Sequence, residues 1–397
     1  MRIFEIGTGY TSIPADKGAA TEIVVDNLSR SLIKLGHDVT VVDIEDPNRL
    51  PTDLPILEVP MPKGFGATDE ALGIKHKLKR VVYSIKLAGV LKKVLNQLPA
   101  GDRALLHFHN QYNAFFFYRL VPSSLRSKVA VAYTVHSYIW HDDWDVIEGT
   151  IKRRYFQEID AMGRADQLFV LNADAISLIT EHVGVDASKL TLIANGVDTE
   201  AYRPCESSEV VDLASSLGLA DMDCIIQVGS VCDRKNQMGA LKMVAPLMQE
   251  RKNLAYIYAG GVIDQEYKDS LDTFASSCGI GERVVYLGEL KPGKELNRCY
   301  NLAKCSLFAT KAEAFSLVVI EAMSSGQPVF VDSSLKVDLD GVERYNNGDE
   351  LRSKISRILD DEPERERMAV AARATVLEKY SWDKVAVDYA RAFEKLI

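Results

Sequence analysis

Short apolar runs alternate along this chain with stretches of helical period. MRIFEIG (1–7), DVTVVD (38–43), ALLHFHN (104–110), VAVAYTVH (129–136), ADQLFVLN (165–172) and LTLIANGVD (190–198) each read as a strand. A second series follows with CIIQVG (224–229), AYIYAGG (255–261), VVYLGEL (284–290), CSLFAT (305–310) and VFV (329–331). Helical segments lie between them, at about 19–35, at 208–219, from about 238, and in the apolar stretch after Ser316. Strand, loop, helix, strand is the βαβ unit, whose strands run parallel and deliver functional residues at their carboxyl ends. Two such series predict an α/β chain of two Rossmann-like, doubly wound parallel-sheet domains.

Length agrees, since 397 residues exceed what one ordinary core encloses. A hydrophobic content of 47% supplies packed cores, and charges of both signs are mixed rather than blocked. A net charge of −9 excludes a general nucleic-acid binder, whose affinity comes from neutralising phosphates. Six cysteines without C-x-x-C spacing read as free thiols in a reducing compartment. Arg2 and Glu5 interrupt the first apolar run, so it does not read as a signal peptide, and no apolar run reaches membrane-spanning length. The expected location is cytoplasmic.

The chemistry concentrates in AEAFSLVVIEAMSSGQPVF (312–330). Glu313 and Glu321 stand eight positions apart, close to two helical turns, around an apolar helix ended by Gly326 and Pro328. Unpaired N–H groups at the helix start, near Ser316, suit a phosphate, and Glu321 lies where it could hold a diol. The pattern E-x(7)-E with A-M-x-x-G-x-P-V resembles the donor-site signature of glycosyltransferase family 4, retaining enzymes of GT-B architecture. That resemblance implies two domains facing across a cleft, with the nucleotide diphosphate sugar on the second and the acceptor on the first.

Further stretches carry the same resemblance. P-x-x-x-G-A-A-x-E (Pro14, Gly18, Ala19, Ala20, Glu22) is similar to the family's glycine loop, with Ala19 where a second glycine is common. Gly7-x-Gly9-x-x-Ser12 imitates a dinucleotide fingerprint with Asp43 as its acid, but Pro14 and Gly18 lengthen the loop and delay the helix, against that reading. T-V-H ending at His136 matches the histidine that contacts the transferred sugar, and His109 ends the neighbouring strand. Tyr138, Trp140, His141, Asp142, Asp143 and Trp144 suit stacking on a sugar and hydrogen-bonding its hydroxyls, and no ligand spacing there supports a metal. Asn195 to Pro204 resembles the inter-domain connection, and Ser381-Trp382-Asp383 the return segment. The expected domains are 1–202 with about 381–397, and 203–380.

In the second domain Gly229 ends a strand before SVCDRKNQ, where the family usually reads G-R-x-x-x-x-K. Lys235 matches, Ser230 replaces the arginine, and Arg234 is expected to supply the missing charge on the diphosphate. The loop carrying Leu290 resembles the base-reading segment. After Phe330 the chain is compressed and lacks the family's glycine-rich turn, which leaves donor-sugar contacts open. Asp338-x-Asp340 reads as a turn.

The implied activity is transfer of a hexose from a nucleotide diphosphate sugar, UDP-sugar favoured over GDP-mannose, to a glycan, lipid-linked or small-molecule acceptor. The mechanism would be front-face and metal-independent, with no cofactor beyond the co-substrate. His136, Lys235, Arg234 and Glu313 are the expected catalytic residues. Gly18, Gly229, Ser230, Leu290, Phe315, Ser316, Leu317 and Glu321 would bind the donor, and His109, Tyr138 and Trp140 the acceptor. A sugar-nucleotide epimerase of this fold and a non-catalytic partner subunit remain as alternatives. Residues 73–98 carry seven Lys/Arg and no acid. Ile74, Leu78, Val81, Ile85 and Ala88 form one stripe of that helix and Lys75, Lys79, Lys86 and Lys93 another. It reads either as a solvated surface helix or as a peripheral dock on the anionic inner face of a membrane.

Overall fold

The computed structural model describes residues 1–15, 19–67, 74–99, 101–136 and 155–397. The chain divides into two compact units, Met1–Asn195 with Trp382–Ile397, and Gly196–Ser381. The first holds a parallel sheet in the order β3-β2-β1-β4-β5-β6-β7, from β1 (Arg2–Ile6), β2 (Asp38–Ile44), β3 (Ile56–Val59), β4 (Ala104–Phe108), β5 (Val129–Val135), β6 (Gln167–Val170) and β7 (Leu190–Leu192). The second holds β10-β9-β8-β11-β12-β13, from β8 (Asp223–Val228), β9 (Leu254–Ala259), β10 (Val284–Tyr286), β11 (Cys305–Phe308), β12 (Val329–Asp332) and β13 (Glu343–Tyr345).

Nine of the eleven apolar runs become buried central strands, and the runs at 190–198 and 284–290 become the edge strands β7 and β10. Strands β3 and β13 give no such run: each is a short edge strand with only one buried residue, so the sequence pattern misses both. Residues 196–202, assigned to the first domain by sequence, belong to the second unit. Val197 bridges to Ser381 there, and the Tyr202 carbonyl accepts from Ser324 Oγ and Arg373 Nη1. The return helix Trp382–Glu394 lays Tyr389 and Phe393 against Phe169 in β6.

Two sequence-level readings of polar residues change. The helix Ile74–Gln97 buries Tyr83, Leu87, Leu91 and Leu95; Ala88 of the expected stripe joins them, whereas Leu78 and Ile85 are 51% and 45% exposed. That row, spaced by four from Tyr83 to Leu95 and followed by Leu98, offers more apolar surface to the sheet, so it wins the inward face. Lys79 therefore lies buried and donates to the Tyr10 carbonyl at 2.7 Å, not on a basic outer face. The acid of the imitated fingerprint is structural: Asp43 is fully buried, accepts from Ile13 N at 2.8 Å and pairs with Arg49 at 2.7 Å.

Candidate active site

In the second unit, β8 delivers Gly229 to the loop that carries both cations. Gly229 has φ of +149° and Gly260, at the end of β9, +142°; a Cβ on Gly260 would lie 2.2 Å from the Gly229 carbonyl oxygen. Two strand ends thus approach more closely than side chains allow. Beyond Ser230 a single 3-10 turn, Asp233–Lys235, leads into the helix Gln237–Glu250. Gln227 Nε2 donates to the Lys235 carbonyl at 2.8 Å, and Tyr256 Oη donates to Gln227 Oε1 at 2.7 Å, which fixes the turn from below.

Residues 309–313 are sewn onto this turn. Asn236 Nδ2 donates to the Ala309 carbonyl at 3.0 Å, and Lys311 N donates to the Arg234 carbonyl at 2.9 Å. Glu313 then receives both cations: the Lys235 ammonium pairs with its Oε2, and Arg234 Nη1 lies 3.3 Å from the same oxygen. Lys235 and Glu313 are both largely covered, whereas Arg234 is more open. Three residues after Glu313, Ser316 caps the helix Leu317–Ser324 without a side-chain capping bond. The first-turn N–H groups of that helix carry its positive dipole end, and they follow Glu313 closely along the chain. Phe315 is buried and its ring faces Tyr380 at 6.1 Å, so only its backbone is suited to a ligand.

Glu321 sits deeper along that helix, and Tyr300 Oη donates to it at 3.4 Å. Burial lifts its carboxyl to about 7, with hydrogen bonds from Tyr202 and Tyr300 pulling the other way. Tyr202 Oη also accepts from Gly293 N at 2.9 Å, which ties Glu321 to the 287–293 loop that carries Leu290. Tyr202 stands in the run that resembles the inter-domain connection, but neither it nor Tyr300 reads as a partner of Glu321 from sequence, because that role depends on which elements face the carboxyl.

In the first unit the carboxyl ends of β4 and β5 bring His109 and His136 together, His109 Nδ1 lying 2.9 Å from His136 Nε2. Behind them lies a group that sequence reading left aside. Glu5, in the middle of β1, is 2.8 Å from His109 Nε2 and 2.9 Å from His107 Nδ1, and His107 Nε2 is 2.7 Å from Thr134 Oγ1. Thr134 Oγ1 reaches Tyr389 Oη at 3.4 Å. The signal was present, an acid inside an apolar strand and histidines two positions apart on one face, but only the β1–β4 register sets Glu5 opposite His107. Glu5, His107 and His109 bring one ligand-type atom each within 4.8 Å of one another. Every nitrogen of both rings already has a partner within this network, so it is complete as hydrogen bonds. Gly18, Tyr138 and Trp140, with the rest of the aromatic loop to Trp144, lie outside the described residues.

Comparison with known proteins places the fold in a class. A sucrose-phosphate synthase of Thermosynechococcus elongatus superimposes with a TM-score of 0.75 at 18% identity, over 100% of this chain and 98% of that one. Anabaena HepE in complex with UDP and glucose does so with a TM-score of 0.74 at 16% identity, over 100% of both chains. The fold is that of the GT-B glycosyltransferases. A glycosyl transferases group 1 model matches residues 216–375 and a glycosyltransferase family 4 model residues 21–201, and the chain belongs to this family. An uncharacterized glycosyltransferase of Methanocaldococcus jannaschii is 28% identical over 215 residues, 52% of this chain; the chain spans about half (54%) of that relative's length.

Proposed function

We propose that the chain is a retaining hexosyltransferase that uses a nucleotide diphosphate sugar, UDP-linked in preference to GDP-linked, and a glycan, lipid-linked or small-molecule acceptor. The observation that carries this reading is the convergence of Lys235 and Arg234 on the loop that opens the helix Leu317–Ser324. Two cations and a helix start form a receptor for a departing diphosphate without a metal, and fixed charges count for more in a poorly solvated site than in water. Glu313 holds the cations in place, Glu321 accepts from the ribose hydroxyls, and His136 hydrogen-bonds the sugar. With no side-chain nucleophile assigned, the leaving phosphate assists deprotonation of the acceptor on the same face. Titrating UDP, GDP and ADP by calorimetry tests the reading; no binding of any of the three would overturn it.

Ser230 in place of the family's usual arginine favours a second reading, a non-catalytic partner subunit. Slow hydrolysis of the donor without an acceptor separates the two, since only an enzyme performs it.

Glu321 gives a pH test. With its carboxyl lifted to about 7, the group is protonated in more acidic solution and loses acceptor capacity toward a ribose. Affinity for UDP is therefore expected to rise with pH up to about 7, by as much as about tenfold per unit. Glu321→Gln should flatten that rise. The effect on folding has the opposite sign. Between pH 4.5 and about 7 the folded state keeps a proton that the unfolded chain has released, so this group's stabilisation is complete below 4.5 and is lost as pH rises through about 7.

Peripheral membrane contact of a cytoplasmic protein completes the proposal. Leu78 and Ile85 are exposed on the helix Ile74–Gln97, and Lys77, Lys86, Lys92 and Lys93 are exposed with them. Among the described residues no helix is long and apolar enough to cross a membrane. Each lysine near an anionic surface adds about 1 kcal/mol of attraction. Co-sedimentation should be stronger with anionic than with neutral vesicles and weaker for Leu78→Asp/Ile85→Asp. Equal recovery with both vesicle types would refute the contact.

A further inference from the structure

The first unit contains a buried hydrogen-bond chain that ends on His136 and is anchored on a carboxylate. From the inside outward it runs Tyr389, Thr134, His107, Glu5, His109, His136. Glu5 and both inner histidine side chains are fully covered. Phe169, Tyr389 and Phe393 surround the His107 ring at 5.3–5.6 Å between centroids, which keeps water from this end of the chain.

We propose that Glu5 and His109 are positioning residues that hold His136 as its Nε2–H tautomer, so that Nδ1 presents a lone pair and accepts a hydrogen bond from a substrate hydroxyl. The proposal rests on the reading above, in which His136 meets the transferred sugar.

The assignment follows from proton counting along the chain. Burial opposes ionisation of Glu5, but the imidazoles of His107 and His109 outweigh it and bring the carboxyl down to about 2. An ionised carboxylate only accepts, so His107 Nδ1 and His109 Nε2 must both carry hydrogen and donate to it. Burial lowers His109 to about 4, so near neutral pH its second nitrogen, Nδ1, carries a lone pair. The 2.9 Å contact then has one polarity, with His136 Nε2–H donating to His109 Nδ1. His136 is itself held neutral, by burial first and by the neighbouring imidazoles second. Its remaining nitrogen can only accept. A residue called on only to fill space would not need this sequence of donors, whereas one that orients a hydroxyl does.

The direct test is the imidazole nitrogen NMR spectrum of the full-length chain labelled with 15N-histidine. Wild type should show His136 protonated at Nε2 and bare at Nδ1. Glu5→Gln keeps the shape but replaces an acceptor-only group by an amide that can donate to His109, which frees the polarity of the chain. His136 should then show mixed or reversed protonation, and kcat should fall by about 10–100-fold, more than any change in donor KM. A wild-type spectrum with His136 protonated at Nδ1 overturns the proposal, and it needs no variant to fold. So does a Glu5→Gln protein with unchanged kcat and an unchanged His136 signal. His136→Ala keeps the two levels apart: undiminished transfer in that variant refutes the role of His136 itself, whereas lost transfer beside a wild-type-like Glu5→Gln refutes only the positioning by Glu5.

Discussion

Lys235→Ala is expected to lower turnover by about 10²–10³-fold, or about 2.7–4 kcal/mol of barrier, the usual effect of removing one preorganised group that stabilises developing charge. On the proposed reading the ammonium, the less exposed of the two cations on Glu313, meets the departing diphosphate with less competition from water. Thermal stability should barely change, because Arg234 remains beside Glu313 to balance its carboxylate. Steady-state kinetics with a nucleotide sugar, alongside scanning calorimetry, measures both. Wild-type turnover in this variant would contradict the leaving-group role, and a collapsed melting transition would show that Lys235 is structural.

Arg49→Ala is expected to produce the largest loss of stability. Its guanidinium pairs with fully buried Asp43 at 2.7 Å and donates to the carbonyls of Ile13 and Ile44. Removing one partner of a buried ion pair leaves an uncompensated charge, at a cost of about 3–5 kcal/mol. For a unit of this size that corresponds to a fall of roughly 6–20 °C in Tm. Asp43→Asn added to Arg49→Ala should recover part of the loss by removing the stranded charge. A single variant that melts like wild type would mean that Asp43 is not ionised in the folded protein.

The pair also shows how a motif misleads. Gly7 and Asp43 imitate a cofactor-binding glycine and its acid, yet a Cβ on Gly7 would lie 2.5 Å from Asp43 Oδ1, so the glycine makes room for a structural carboxylate. Spacing alone does not distinguish a turn around a ligand from a turn around a side chain. The extra loop length before the helix did distinguish them, because it is a property of the chain itself.

Elsewhere the sequence was informative wherever the physics is local. Apolar runs marked the central strands, since a parallel strand is covered on both faces and needs no partner's identity to be recognised. Gly326 and Pro328 marked the end of the helix that begins after Ser316, because backbone conformation is set residue by residue. What tertiary structure alone decided was pairing. Two stripes of the helix Ile74–Gln97 competed for the sheet, and the surface available beneath them selected the one through Tyr83 and Leu91. Glu5, 102 residues before His107, became its partner only when β1 and β4 lay side by side, because a hydrogen bond depends on distances that chain order does not specify.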